Sequence, residues 1–148
     1  DASGMQAGDR AGIVAFQSNY CTIGVEVAHD GSKDLVATFH RAQQRRWGQP
    51  NQPQQSPDTE ALRIKLSQNK VWLKIKYVFT PQPDDDAGAD QAFMSYSLDG
   101  KNWTDVEGVL QMSFSLDYFT GYRTGLYSYA TLKAGGWADF DYFHQEQY

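Results

Sequence analysis

From Val71 to Phe79, apolar side chains fall on every second residue: Val71, Leu73, Ile75, Tyr77 and Phe79 make one face, while Trp72, Lys74 and Lys76 make the other. A strand sends successive side chains to opposite faces, so a period of two predicts a strand with one face buried. The same alternation returns at Leu62, Ile64 and Leu66 against Arg63 and Lys65, and at Ile23, Val25 and Val27 against Thr22 and Glu26. It recurs through Leu110, Met112, Phe114 and Leu116. Further strands are predicted near residues 10–18, 34–40, 91–98, 123–130 and 137–143. No segment carries the 3.6-residue period of an amphipathic helix. Many short strands separated by turn signals predict an all-β fold, an antiparallel β-sandwich with two sheets around a common core.

The punctuation agrees. Asp99-Gly100 between a run ending at Leu98 and the Trp103-Thr104 pair predicts a hairpin, because both residues tolerate the positive φ a tight turn needs. Residues 43–57 hold six glutamines and three prolines, too polar and too interrupted for a core strand, and read as a loop. Residues 81–90 carry Asp84, Asp85, Asp86 and Asp90. They lack the spaced carboxylates and closing glutamate of an EF-hand, and read as a solvated acidic loop.

Composition narrows the class. At 148 residues, 41% hydrophobic and 14% aromatic, the chain predicts a single module over residues 1–148. A formal charge of −5 gives no positive field to attract phosphates, which argues against a nucleic-acid partner. No apolar run reaches the length of a bilayer span, which argues against a membrane partner. Cys21 is the single cysteine, so no internal disulfide forms, and a lone strand cysteine reads as a small buried hydrophobe. Location is left open between secreted and cytoplasmic.

Few residues suggest bond-breaking chemistry. Asp139 and Asp141 stand two apart, and on a strand their Cα atoms would lie about 7 Å apart on one face. Such a pair could serve two-carboxylate glycoside hydrolysis, could ligate a structural calcium ion, or could simply be solvated. His29, His40 and His144 are too scattered for a metal site, and no G-x-S-x-G signature accompanies them. Aromatic side chains are the stronger signal. Indole and phenol rings stack on the apolar faces of sugars while carboxylates and guanidinium groups bond the hydroxyls. Trp47, Trp72, Trp103, Tyr118, Phe119, Tyr122 and Trp137 are the candidate platforms, with Asp117 and Arg123 as polar neighbours. The bland alternative for each is a place in the core.

Four separated motifs, GDRAGIVAFQS (8–18), FMSYSLDGKNWT (93–104), LDYFTGYR (116–123) and GGWADFDYF (135–143), together resemble the C-terminal module of glycoside hydrolase family 43 β-xylosidases and arabinofuranosidases. The resemblance runs from about Asp1 to Phe143 and implies a concanavalin A-like jelly roll attached behind a catalytic propeller. It implies that the catalytic carboxylates belong to that propeller and that this chain is not itself an enzyme. It also implies that residues 117–123 form a loop that helps close the substrate pocket, with Phe119 reaching toward the sugar. The family module usually starts several strands earlier, so residues 1–5 are expected to be the tail of a strand, and an open sheet edge would allow homodimer pairing.

The resulting expectation is a non-catalytic carbohydrate-binding module for xylan, xylo-oligosaccharides or a related plant cell-wall polysaccharide, accessory to a glycoside hydrolase. The alternative is a structural accessory domain that shapes the pocket of a catalytic domain without binding free sugar.

Overall fold

A computed structural model describes residues 1–42, 58–80, 88–113 and 120–147. Among these residues there are nine strands and no helix. They are β1 (Asp9–Phe16), β2 (Tyr20–Val27), β3 (Lys33–His40), β4 (Thr59–Leu66), β5 (Trp72–Val78), β6 (Gln91–Ser97), β7 (Thr104–Asp105), β8 (Leu110–Gln111) and β9 (Arg123–Ala130). Two antiparallel sheets result. One runs in the order β4-β3-β2-β1-β9, and the other in the order β5-β6-β7, with β8 also on β6. This is the all-β sandwich that the alternation predicts.

The period of two decides what meets between the sheets. Cys21, Ile23, Leu35, Ala37 and Phe39 point inward from the larger sheet and pack on Ala92, Met94 and Leu110. Leu73, Ile75 and Tyr77 of β5 join this cluster, as their alternation requires. Burial removes Cys21 from solvent and pushes its thiol up to about 12, so it is inert packing rather than a nucleophile. A smaller cluster of Ala2, Met5, Ala11, Val25 and Val27 closes one end.

Two expectations need correction. The Asp99-Gly100 hairpin exists, but Tyr96 pairs with Thr104, so a loop of seven residues replaces a two-residue turn. The Asp99 carboxylate organises it, accepting the backbone N–H groups of Lys101 and Asn102 at 2.8 Å, and Gly100 takes φ +73°. Residues 137–143 are not a sheet strand. They run beside the N-terminal segment, where the Trp137 N–H donates to Gly4 O and the Asp139 N–H to Asp1 O. The Asp1 ammonium also donates to Asp139 O at 2.6 Å, but three bonds at two places do not make a ladder. Of the expected strand through Leu116, β8 covers Leu110–Gln111, Met112 and Ser113 are outside it, and residues 114–119 lie outside the described residues.

Candidate functional site

If Ile23, Val25 and Val27 point inward, Tyr20, Thr22, Gly24 and Glu26 must point outward. Register aligns these with outward residues on every neighbouring strand. Glu26 faces Asp34 on one side and Arg10 on the other, and Arg10 in turn faces Tyr129. The next row is Val36, Gly24, Gly12 and Tyr127, followed by Thr38, Thr22, Val14 and Gly125. The last row is His40, Tyr20 on β2, and beyond it Phe16 with Arg123. The outer face thus has small residues in its middle rows and large ones around them. A groove of about 250 Å³ lies there.

The small residues are a steric requirement. A Cβ at Gly24 would fall 2.5 Å from the Tyr127 hydroxyl and closer still to the Ala11 carbonyl. The absence of a side chain at Gly24 therefore lets the Tyr127 hydroxyl reach across β1 to β2. There it hydrogen-bonds to Thr22, whose Oγ1 is 2.7 Å from Thr38 Oγ1. Three hydroxyls cross the groove floor in a chain. Burial, reinforced by Tyr129, pushes the Tyr127 phenol up to about 12, so it stays protonated in ordinary buffers.

At one end, Tyr20 stacks on His40 with centroids 4.5 Å apart and planes 4° apart. The Tyr20 hydroxyl donates to Asp58 Oδ1 at 3.0 Å, and His40 Nδ1 lies 2.8 Å from the same oxygen. Burial and then Asp58 push Tyr20 up to about 12. Phe16 stands beside it at 6.1 Å and is 47% exposed. At the other end Tyr129 is 49% exposed. Arg63 there donates to Glu60, Asp34 and Glu26 at 2.7, 3.0 and 3.2 Å, and Arg10 pairs with Glu26 at 3.2 Å.

This chemistry suits holding, not cleaving. A general acid needs a carboxyl whose pKa is raised. Here Glu60 is shifted the other way by its bonds to Arg63, while Glu26 and Asp34 are tied to the same guanidinium. Aromatic walls over a hydroxyl-lined floor instead match a flat polyhydroxylated ring.

The structure scatters the residues singled out in the sequence. Trp47, Asp117, Tyr118 and Phe119 lie outside the described residues. Trp72 and Trp103 belong to the outer face of the other sheet. Trp137 is 53% exposed, but its ring lies against Gly4. Tyr122 packs on the core and its hydroxyl accepts the Ser113 N–H at 3.4 Å. Arg123 alone shares the groove face, opposite Phe16. Asp141 is ion-paired with Lys70, which lowers its pKa, and no group of three or more His, Cys, Asp or Glu residues able to hold a metal occurs among the described residues. The groove residues Phe16, Tyr20, Thr22, Thr38, Tyr127 and Tyr129 were missed. Their signal was hydroxyl and aromatic side chains on the polar phase of strands that also carry interior glycines, a mark of close approach.

A two-sheet antiparallel sandwich with a shallow aromatic groove on one outer face defines a β-sandwich module. The chain belongs to the GH43_C2 family, the β-xylosidase C-terminal concanavalin A-like domain, whose family model matches residues 1–146. Two solved structures are similar. One is a bifunctional GH43-CE protein of Bacteroides eggerthii, at 32% identity and TM-score 0.71 over 92% of this chain. The other is a GH43 glycoside hydrolase engineered at its active site to display both endo-xylanase and exo-arabinofuranosidase activity, at 28% identity and TM-score 0.71 over 92% of this chain. This chain covers 15% and 25% of those two proteins. No match to a curated protein was found.

Proposed function

We propose that the chain is a carbohydrate-binding accessory module that holds xylan or xylo-oligosaccharides in the groove on its five-stranded sheet, in the service of a glycoside hydrolase domain. The observation that carries this reading is the open groove itself. Exposed rings of Phe16 and Tyr129 bound a floor on which Tyr127, Thr22 and Thr38 present hydroxyls. Affinity in such a site lies in the micromolar to millimolar range, roughly −4 to −8 kcal/mol, and tethering to an enzyme makes that sufficient. Calorimetric titration with xylohexaose tests the proposal. Saturable heat that falls in Tyr129→Ala and persists in Trp137→Ala supports the groove. No heat at millimolar ligand from folded protein overturns it.

A second reading has its own support. Leu126 is on the inward phase of β9, opposite Ile13, yet stays 43% exposed, and Leu132, Trp137, Tyr142 and Phe143 are each at least half exposed. A structural role against a catalytic propeller would cover such apolar surface. Weak or absent sugar binding combined with tight association to a separately produced catalytic domain would favour that role.

A further inference from the structure

The larger sheet ends on two edge strands, β4 and β9, that differ in kind. β4 carries Glu60, Arg63 and Lys65, and its pairing with β3 is interrupted by a register shift between Ala37 and Thr38. Charges and irregularities of this sort keep an edge from pairing with another chain. β9 pairs with β1 in one unbroken register from Arg123 to Ala130, and with no second strand among the described residues. It holds no proline, and its single charge, Arg123, stands at its first position. On the smaller sheet the edge strand β5 carries Lys74 and Lys76. Of these edges only β9 is undefended.

β9 is also uncovered. The smaller sheet ends at β5, which lies against β1, and reaches β9 through the Tyr77 hydroxyl, 2.7 Å from Thr124 Oγ1. Leu126, on the inward phase opposite Ile13, stays 43% exposed, and Ser128 and Ala130 are exposed as well. On the outer face, a Cβ added at Gly125 would meet only the Val14 side chain, at 3.7 Å, so the space above it is open.

The sequence of β9 complements itself in one register. If a sheet is to continue across a two-fold axis with its inner face on one side, directly opposite residues must share a phase, which puts the axis on a residue. With the axis at Leu126, that side chain meets its own copy on the inner face, and Thr124 meets the partner's Ser128. On the outer face Gly125 falls opposite the partner's Tyr127, a ring beside an edge glycine, and Tyr129 falls opposite the partner's Arg123, a ring beside a guanidinium. No like charges oppose one another.

We infer that the chain pairs with a second copy of itself, β9 against β9 about an axis at Leu126, joining the two larger sheets into one. On the groove reading above, both grooves then open on one face, with the partner's Arg123 beside the Tyr129 wall. The dimer does not depend on that reading and is measured without sugar. Sedimentation velocity of the full chain, from about 1 to 200 μM, is expected to show a reversible monomer–dimer equilibrium. Leu126→Lys sets two ammonium groups against each other at the axis and should weaken the dimer by about tenfold or more, while the half-exposed position leaves the denaturant midpoint near that of the parent. Leu126→Cys should cross-link to its own copy on oxidation, because opposite Cα atoms lie about 4.5–5.5 Å apart. Ser128→Cys, which faces Thr124, should not, and the buried Cys21 does not compete. A parent that stays monomeric at about 200 μM, a dimer that Leu126→Lys leaves as tight as before, or cross-linking of Ser128→Cys as ready as that of Leu126→Cys overturns the inference.

Discussion

The two outer faces of this sandwich are built by one rule and reach opposite shapes. On the five-stranded sheet the middle outward positions are Gly12, Gly24, Val14, Thr22, Val36 and Thr38, and a groove forms above them. On the other sheet the outward positions hold Trp72, Lys74 and Lys76 over buried serines, and the surface is filled. Strand alternation chooses which residues face out. Side-chain size then decides whether an outward face is concave or flat. The difference teaches that aromatic content alone does not locate a binding site: the groove owes its existence to the small residues between its rings.

Filling the groove gives the largest expected effect. Gly24→Leu forces a side chain against Tyr127 and the Ala11 carbonyl, and should cost about 1–3 kcal/mol of stability as overpacking does. Denaturant unfolding measures this, and xylohexaose binding should vanish in the folded fraction. A variant that keeps both stability and xylohexaose binding would remove the groove from the argument.

Truncating a wall comes next. Tyr129→Ala should weaken xylohexaose by about tenfold, near 1.4 kcal/mol, with little loss of stability because Tyr129 is half exposed. Arg63→Met tests the polar end. It frees Glu26, Asp34 and Glu60 from their common guanidinium, and with Arg63 itself well exposed the cost should be about 1 kcal/mol.

The faces also differ in their pH limits. Tyr20 and Tyr127 are raised to about 12 in the folded chain against about 10 unfolded, so the stability they supply is complete below pH about 10. It is lost as pH climbs through about 12, because the unfolded state ionises first. Tyr127→Phe should flatten that alkaline loss in a series of melting temperatures. Asp99, in the loop of the other sheet, is held well below the ordinary carboxylate range by the N–H groups of Asn102 and Lys101. Its contribution is present above pH about 4 and fades as acid protonates it, so Asp99→Ala should reduce the acid sensitivity of melting between neutral pH and pH about 2. The smallest effect is expected from metal removal. With Lys70 already paired to Asp141, a chelator should leave the melting temperature unchanged, and a rise of several degrees on adding calcium would contradict that.

The fold was largely legible because it rests on a local signal. The alternation at Ile23, Val25 and Val27 and at Leu73, Ile75 and Tyr77 placed those side chains on the inner faces where the structure has them. The failure at residues 137–143 is equally instructive. The same alternation is present there, yet a strand needs a ladder as well as a pattern, and only scattered bonds to Gly4 and Asp1 are made. The groove, by contrast, joins Phe16 and Tyr20 near one end of the chain to Tyr127 and Tyr129 near the other, a meeting that no local pattern announces.

By itself the sequence determined the class: all-β, two half-buried sheets, Cys21 as packing, and four motifs that mark a family 43 accessory module. Each of these follows from side-chain order along a few residues. Only the tertiary structure decided that β9 lies beside β1, which brings Tyr127 over Gly24 and sets Arg123 opposite Phe16. Strand order and register join residues more than a hundred positions apart, and a local period fixes which way a side chain points but not which strand it will find beside it.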